Sequence, residues 1–387
     1  MLRQHAAVAA VCFMILRDLG KTGLRVSEVG LGTEHLGRTH KAKDTIIAAV
    51  NKAVENGINY FDLIFNFPEY IDNYGAAFKD HRDNLVIACH LGSAERSGQY
   101  FKTRSVGICK KVFAESLARL HTDHIDVANV TYVKNMKEYD EVTRPGSVLD
   151  LAFQLKTEGK ANHIGISTHD PSVVQAAARS GSFEVITYQV NMANNALPGR
   201  NEALTTCAQN GVGVVAMKPF AGGRLLWRNR TVKIASGKRG GGTTITLKVP
   251  ESMTPIRCLA YTLSQVGVCT AIPGLSSLQE LDEILSYQNA TAAERDYSEV
   301  VRGFKEYKTG ECVYCNHCLP CPAGIDIGRV TRLLDVTKAL LTADSRAEYG
   351  QLKNKASECT KCRACITRCP FDVDVVSNME SAAELFE

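Results

Sequence analysis

Residues 85–90 read Leu-Val-Ile-Ala-Cys-His, and residues 124–131 read His-Ile-Asp-Val-Ala-Asn-Val-Thr; between them, residues 105–120 carry apolar side chains at helical spacing. A short apolar run that ends in a polar residue, then a helix, then another such run predicts a βαβ unit with parallel strands. The same pattern recurs through most of the chain. The predicted strands are residues 29–33, 59–62, 85–90, 124–131, 163–167, 183–189, 213–218 and 268–273.

Eight such units in series over roughly 260 residues match the size of a (β/α)₈ barrel, so the fold class is α/β. Predicted helices include residues 44–56, 105–120 and 147–157. In this fold the functional residues lie where the strands end. The polar residues at or just after these ends are Thr33, Glu34, His35, Asp62, Asn66, His90, Asn129, Thr131, Ser167, Thr168, His169, Gln189, Asn191 and Lys218.

Cysteine dominates the C-terminal part of the chain. Residues 312–322 read Cys-Val-Tyr-Cys-Asn-His-Cys-Leu-Pro-Cys-Pro, and residues 359–370 read Cys-Thr-Lys-Cys-Arg-Ala-Cys-Ile-Thr-Arg-Cys-Pro. Three cysteines spaced by two residues and closed by Cys-Pro are typical of two-cluster ferredoxins, in which the fourth cysteine ligates the other [4Fe-4S] cluster. We therefore predict two clusters, one held by Cys312, Cys315, Cys318 and Cys369 and the other by Cys359, Cys362, Cys365 and Cys321.

Zinc and disulfides are the alternatives for these cysteines. Structural zinc usually takes two separated Cys-x2-Cys pairs, and disulfides would require export. Residues 1–18 lack the small polar cleavage site of a signal peptide, so we expect a cytoplasmic protein. The other six of the 14 cysteines are predicted to be buried apolar residues: Cys12, Cys89, Cys109, Cys207, Cys258 and Cys269.

Composition narrows the range of partners. The 387 residues are 45% apolar and 22% charged, and 45 basic against 41 acidic residues give a net charge of +4. This charge is too small and too dispersed to favour nucleic acid, and no apolar run is long enough to cross a membrane. We predict an N-terminal extension at 1–13, a barrel with a helical tail at 14–307 and a ferredoxin-type domain at 308–387.

Residues 219–250 interrupt the regular alternation of predicted strands and helices. They include Gly-Lys-Arg-Gly-Gly-Gly at 237–242 and several other basic residues. Such a segment is too long and too glycine-rich for an ordinary loop. Two interpretations stay open, a lid or anion-binding loop and a solvated hairpin in which residues 243–249 form a strand.

Several stretches resemble the aldo-keto reductase superfamily. They are residues 16–33 (LRDLGKTGLRVSEVGLGT), 57–62 (GINYFD), 164–167 (IGIS), 213–219 (GVVAMKP) and 272–274 (IPG). The resemblance covers about residues 14–290, and the cysteine-rich end is similar to the branch that carries a ferredoxin-like 4Fe-4S domain. It implies a (β/α)₈ barrel that moves hydride from NADPH to a carbonyl with an Asp, Tyr, Lys and His catalytic set.

Transferred by position, that catalytic set is mostly replaced. Asp62 is present, but Phe67 stands at the Tyr position, His90 at the Lys position and Thr131 at the His position. Phenylalanine cannot donate a proton, so the family's usual general acid is missing. A displaced tyrosine is one hypothesis for its replacement, with Tyr70, Tyr74 and Tyr132 as the candidates.

The cofactor positions also differ from the family pattern. The resemblance implies that Ser167, Thr168 and Gln189 would hold a nicotinamide amide, while Met217 replaces a stacking aromatic residue before Lys218. Gly274 and Glu280 stand where the family places cations around the 2′-phosphate of NADP, and an acid there repels that phosphate. The sequence therefore argues against NADPH.

We expect an oxidoreductase that receives electrons from a ferredoxin-type donor through two [4Fe-4S] clusters and reduces a small-molecule substrate at the barrel mouth. Asp62, His90, Thr131 and His169 are the predicted catalytic residues, and Ser167, Gln189 and Lys218 the predicted cofactor-binding residues. The alternatives are a nicotinamide-dependent aldo-keto reductase with a substituted proton relay, and a non-redox lyase or electron-transfer subunit. If His35, His90 and His169 converge, they could also bind a metal.

Overall fold

We analysed a computed structural model of the chain. It describes residues 14–38, 43–96, 99–197, 199–226, 231–236, 243–249, 251–297, 300, 312, 318–340, 343–369 and 373–387. The predicted extension at 1–13, Cys12, Cys315, His317 and the predicted boundary at 307 lie outside these residues. The chain divides into two compact units, one comprising 1–190, 203–222 and 254–296, and the other 191–202, 223–253 and 297–387.

The first unit is built on an eight-stranded parallel sheet. Each predicted run overlaps one of its strands, so the predicted (β/α)₈ barrel is confirmed. In chain order these strands are β3 (Leu31–Gly32), β4 (Tyr60–Leu63), β5 (Val86–Leu91), β8 (Ile125–Val133), β9 (Ala161–Thr168), β10 (Val185–Gln189), β11 (Gly213–Met217) and β14 (Val268–Ile272).

Neighbours in the sheet follow the order β14, β11, β10, β9, β8, β5, β4, β3. Parallel bridges from Val29 to Ala271 and from Gly32 to Gly274 join the two outer strands, so the sheet closes on itself. The hairpin of β1 (Leu16–Asp18) and β2 (Arg25–Ser27) precedes the barrel, and Leu19 from its turn packs with the barrel core. Closure leaves the barrel strands with no free edge.

Side chains from most strands meet inside the barrel. The buried interior cluster includes Tyr60, Ala88, Val127, Val185 and Val215, which come from five separate strands. Because side chains alternate along a strand, the residue two positions further along points to the same side. Asp62, His90, Asn129 and Thr131 therefore face the barrel interior near the strand ends.

Helices surround the barrel, and several begin where the sequence supplies a cap. The Ser105 hydroxyl accepts a hydrogen bond from the amide of Ile108, and proline occupies the first turn of the helices that begin at Pro68, Pro171 and Pro255. The helices are Glu34–Arg38, Lys43–Glu55, Pro68–Phe78, Val106–Arg119, Met136–Thr143, Val148–Thr157, Pro171–Ser180, Arg200–Asn210, Pro255–Leu263, Leu278–Leu285 and Ala292–Arg295.

Two antiparallel hairpins accompany the barrel strands. The first, β6 (Ser93–Arg96) with β7 (Gln99–Lys102), follows β5 directly. The second pairs β12 (Thr231–Ser236) with β13 (Thr243–Lys248) over six residues each, which confirms the predicted hairpin in the segment 219–250. The predicted helical tail after residue 277 consists of short helices up to Arg295, and its remainder lies almost wholly outside the described residues.

The cysteine-rich part of the second unit has its own apolar core. Ile325, Val330, Leu334 and Met379 are buried in it, together with Cys318 and other side chains. Its helices are Ile327–Leu340, Ala343–Gly350, Ala364–Arg368 and Val375–Phe386. In neither unit does a described helix combine the length and apolarity needed to span a membrane.

Candidate functional site

Three of the predicted catalytic residues form one hydrogen-bonded chain inside the barrel. His90 Nε2 lies 2.9 Å from Asp62 Oδ1, and His90 Nδ1 lies 2.8 Å from Thr131 Oγ1. All three residues are buried, and the His90 side chain is only 1% exposed. They come from β4, β5 and β8, which are adjacent in the sheet. The structure therefore brings Asp62, His90 and Thr131 together.

The hydrogen bonds fix the protonation pattern of a neutral His90. Ionised Asp62 can only accept, so Nε2 carries the proton and Nδ1 accepts a hydrogen bond from the Thr131 hydroxyl. The carboxylate also fixes the orientation of the ring, which leaves Nδ1 directed at the Thr131 hydroxyl. The arrangement can therefore take up a proton at Nδ1 and return it through the Thr131 hydroxyl.

Arg104 contacts the end of β8 but is not a member of this hydrogen-bonded chain. Its Nη1 donates a hydrogen bond to the Thr131 carbonyl at 2.8 Å, and burial lowers the pKa of its guanidinium. Gly92 makes room for it, because a Cβ at this position would lie 2.6 Å from Arg104 Nη1. Gly92 also has a φ of +105°, which side-chain-bearing residues rarely adopt. Sequence inspection identified neither residue.

His169, Gln189 and Lys218 form a second cluster, at the ends of β9, β10 and β11. His169 Nδ1 lies 3.0 Å from Gln189 Oε1, and Lys218 Nζ lies 3.3 Å from His169 Nε2. Burial and the neighbouring Lys218 lower the pKa of His169 to about 4, so this imidazole is neutral near pH 7. Desolvation also lowers the pKa of Lys218, although the side chain still reaches solvent.

Two of the three tyrosines proposed as substitutes for the missing general acid, Tyr70 and Tyr74, hydrogen-bond to Thr33. The Tyr70 hydroxyl hydrogen-bonds to Thr33 Oγ1, and the Tyr74 hydroxyl donates to the Thr33 carbonyl at 3.4 Å. Both are buried, and burial raises both pKa values. These contacts give Tyr70 and Tyr74 a packing role behind β3. The side chain of Tyr132 lies outside the described part of the chain.

Tyr100 is the tyrosine that sequence inspection missed. It lies on β7, its ring centroid is 6.2 Å from that of Phe67, and burial raises its pKa while Glu34 and Asp62 raise it further. The Ser-Gly dipeptide at 97–98, between two alternating segments, is a turn signal that could have revealed this hairpin. A phenol thus stands beside the Phe67 position, although from a different element.

Asn129 lies deeper in the barrel and is unusual among the described residues. It is fully buried, and neither its Nδ2 nor its Oδ1 has a hydrogen-bond partner there. A Cβ at Gly165, on the neighbouring strand, would lie 2.1 Å from Asn129 Oδ1, so glycine is required at 165. Buried polar groups normally hydrogen-bond, which makes Asn129 a candidate for an ordered water or a ligand group.

The residues at the nicotinamide positions fit NADPH poorly. Gln189 Oε1 is engaged by His169, and Thr168 Oγ1 accepts from the Asp170 amide. Glu280 lies in the first turn of the helix Leu278–Leu285, where its carboxylate accepts from the Ser276 amide at 2.5 Å. A 2′-phosphate at this helix start would meet a negative charge in place of the cation that binds it elsewhere.

The three histidines do not converge. His35 lies against Gly274, whereas His90 bonds to Asp62 and His169 bonds to Gln189. Within the described ranges, no group of three or more His, Cys, Asp or Glu residues is arranged to hold a single metal ion. The conditional prediction of a metal held by His35, His90 and His169 is therefore wrong for these residues.

Four cysteines of the second unit line one cavity that is partly open to solvent. They are Cys321, Cys359, Cys362 and Cys365, the set that the spacing rule assigns to one cluster. Four cysteine side chains around one cavity are the donor set that a [4Fe-4S] cluster requires. The amide of Ala364 and the Thr360 hydroxyl lower the pKa of Cys362, which favours the ligating thiolate.

Arg368 connects the two cysteine runs. Its Nη2 donates hydrogen bonds to the carbonyls of Cys318 and Pro320 at 2.8 and 2.7 Å, and its Nε donates to Ala364. Arg368 also lines the cavity, which places a positive charge beside the proposed cluster. Of the other proposed cluster ligands, Cys312, Cys318 and Cys369 pack against the core of this unit. Each of the described scattered cysteines, from Cys89 to Cys269, is buried as predicted.

The chain matches two family models. Residues 28–302 match the aldo/keto reductase family, and residues 289–374 match a 4Fe-4S dicluster domain. An L-glyceraldehyde 3-phosphate reductase of Escherichia coli is 26% identical over 292 residues, which cover 70% of this chain and 82% of that protein. An uncharacterized oxidoreductase of Bacillus subtilis is 27% identical over 290 residues, with 71% and 91% covered.

Two further relatives extend the comparison. An NADH-specific methylglyoxal reductase of Escherichia coli is 24% identical over 313 residues, covering 72% of this chain and 94% of that protein. The holo form of an aldo-keto reductase from Bacillus halodurans shares the fold with a TM-score of 0.58 and 23% identity, covering 74% and 96% of the two chains. The chain belongs to the aldo/keto reductase family and carries a C-terminal 4Fe-4S dicluster domain.

Proposed function

We propose that this oxidoreductase reduces a small carbonyl compound at the barrel mouth, with electrons from a ferredoxin-type donor and protons from the Asp62, His90 and Thr131 chain. Reduction of a carbonyl to an alcohol consumes two electrons and two protons. Two [4Fe-4S] clusters, when bound, would supply the electrons one at a time. The buried hydrogen-bonded bridge of His90 between Asp62 and Thr131 is the observation that carries the proposal.

The residues of this bridge are suited to proton delivery. His90 is an imidazole with both ring nitrogens hydrogen-bonded, one to the Asp62 carboxylate and the other to the Thr131 hydroxyl. Thr131 Oγ1 would pass the proton from His90 Nδ1 toward the substrate. This replaces the phenol that Phe67 cannot provide. Arg104, through the Thr131 carbonyl, would keep the hydroxyl in position.

The second unit would supply eight thiolates. Cys321, Cys359, Cys362 and Cys365 would hold one cluster in the cavity that they line, and Cys312, Cys315, Cys318 and Cys369 would hold the other. Arg368 would keep the Cys318 to Pro320 segment next to the helix Ala364–Arg368 through its hydrogen bonds to main-chain carbonyls. Its charge beside the cavity would favour the reduced, more negative state of the nearby cluster.

The test is an anaerobic assay of the iron-loaded protein with small aldehydes and ketones, using chemically reduced ferredoxin or NADPH as electron source. We expect turnover with reduced ferredoxin, no turnover with NADPH, and a loss of about 10²–10⁴-fold in His90→Gln. Thr187→Val, a change at another buried strand position, serves as the control and should retain activity. Turnover with NADPH alone, or full activity in His90→Gln, would refute the proposal.

Glu280 supports a second candidate function, which is reduction with NADH. An acid at a nucleotide-binding helix start repels a 2′-phosphate but can accept hydrogen bonds from a ribose hydroxyl. The NADH specificity in the name of the methylglyoxal reductase relative agrees with this cofactor choice for that protein. Titration of the protein with NADH and with NADPH tests this candidate. Binding of NADH by the wild type, with a change to NADPH binding in Glu280→Arg, would support it. Binding of neither nucleotide would exclude it.

A further inference from the structure

Lys218 ends the seventh strand of the barrel, at the mouth where the functional residues of this fold lie. Its φ of +57° is in the left-handed region, which is unfavourable for a side-chain-bearing residue. Its side chain is exposed, so a small molecule at the mouth can reach it. Left-handed backbone at a non-glycine residue is often kept where the side chain must take a particular direction.

The contact with His169 determines what Lys218 can do. An ammonium has only donors, so His169 Nε2, at 3.3 Å, must be the acceptor. The proton of neutral His169 is then on Nδ1, where Gln189 Oε1 accepts it at 3.0 Å. Gln189 thus fixes the tautomer in which His169 presents a lone pair to Lys218. This places a hydrogen-bond acceptor next to a nucleophile.

Burial and a neighbouring carboxylate shift the pKa of Lys218 in opposite directions, and burial has the larger effect. Desolvation lowers its pKa, and Glu34 opposes this by raising it. Protonation of His169 is suppressed, since burial and Lys218 lower its pKa to about 4. His169 therefore remains an acceptor at neutral pH. A larger fraction of Lys218 is then the neutral, nucleophilic amine than for a lysine on the open surface.

We propose that Lys218 captures a small aldehyde or ketone as a covalent imine, with the ammonium proton released to solvent and the neutral His169 accepting a hydrogen bond that orients the amine. The Lys218 nitrogen bonds to the carbonyl carbon and gives a carbinolamine. The carbinolamine loses its hydroxyl as water, which leaves a C=N bond. No electrons are exchanged, so this step goes beyond the proposed reduction and does not depend on it.

An anion site is the competing use of Lys218. Phosphate or carboxylate binding would call for a fully charged cation with its N–H donors directed at the anion. Here one N–H is directed at His169, and desolvation disfavours the charged form. The cluster therefore suits reaction with a neutral carbonyl better than binding of an anion.

Imine trapping tests the proposal on the full-length, iron-loaded protein without reduction of its clusters. Limiting propionaldehyde is added with cyanoborohydride, which reduces imines to stable N-propyl-lysine, and labelled lysines are located by peptide mass spectrometry. We expect Lys218 to be labelled about tenfold faster than Lys111, whose side chain is 77% exposed. Labelling of Lys218 no faster than Lys111 in the wild-type protein overturns the proposal, whatever the outcome of the reduction assay.

Variants separate the nucleophile from the anion site. Lys218→Arg keeps the charge and should abolish labelling at 218, while Lys111→Arg should leave it unchanged. His169→Gln, with the lysine intact, should slow the labelling of Lys218 about tenfold. Complete protection of Lys218 by inorganic phosphate would show that Lys218 serves as an anion site, and unchanged labelling in His169→Gln would refute the contribution of His169.

Discussion

Replacing Thr131 by valine tests whether the buried chain of Asp62, His90 and Thr131 contributes to stability. Valine keeps the shape of threonine but removes the hydroxyl that donates to His90 Nδ1 at 2.8 Å. His90 Nδ1 would be left as a buried acceptor without a partner, which costs about 1–3 kcal/mol of the free energy of unfolding. Thr131 is 1% exposed, so water cannot easily replace the lost hydroxyl.

Thr187→Val is the matched control for this change. Thr187 is also 1% exposed and lies on β10, but its hydroxyl has no hydrogen-bond partner among the described residues. Removing a hydroxyl that makes no bond should leave stability unchanged or raise it by about 1 kcal/mol. The two variants carry the same chemical substitution at equal burial, and they differ in the hydrogen bond.

Urea unfolding followed by far-ultraviolet circular dichroism, on anaerobic samples of equal iron content, measures the difference. The shift of the urea midpoint, multiplied by the slope of the free energy of unfolding against urea concentration, gives the change in the free energy of unfolding. We expect Thr131→Val to be less stable than Thr187→Val by about 2 kcal/mol. The same variant should lose about 10²-fold in carbonyl reduction. Equal midpoints for the two variants would refute the reasoning about the hydrogen-bonded chain.

Three further predictions follow from other contacts. Arg368→Gln removes the charged donor to two carbonyls and should make the protein lose iron faster in air, measured as iron per protein. Lys361→Gln, which removes an exposed ion pair, should not change the rate of iron loss. The pKa of His169, about 4, lies below its usual 6.5, so as the pH falls His169 is protonated in the unfolded chain before it is protonated in the folded protein. Stability should therefore fall by roughly 2–3 kcal/mol between pH 6.5 and 4, and His169→Asn should remove that slope. Gly92→Ala should destabilise the protein by about 2–3 kcal/mol. Gly159→Ala should cost only about 1 kcal/mol, because the φ of Gly159 is positive but no atom lies within 4 Å of the added Cβ.

The barrel could be predicted because its signals are local. Each strand is a short run such as residues 85–90, and the alternation with helical segments fixes the order of elements along the chain. The grouping of Cys321 with Cys359, Cys362 and Cys365 could also be predicted, because cluster spacing is a chemical rule that does not depend on the path of the chain.

The pairing of polar side chains could not be predicted in the same way. Asp62, His90 and Thr131 meet because β4, β5 and β8 are neighbours and because the register offsets each of these residues from the next by two positions, which keeps all three on the inner face. His35 lies beside Gly274 and away from His90, since β3 neighbours β4 and the end of β14. Tyr100 reached the site through a hairpin that the βα pattern does not contain.

The sequence by itself determined the fold, the family and the grouping of Cys321 with Cys359, Cys362 and Cys365, because apolar periodicity and ligand spacing act over a few residues. The tertiary structure alone decided which polar groups act together. It joined His90 to Asp62 and Thr131, and it joined His169 to Gln189 and Lys218. A hydrogen bond requires atoms within about 3 Å, and for residues tens of positions apart only strand order and register set that distance.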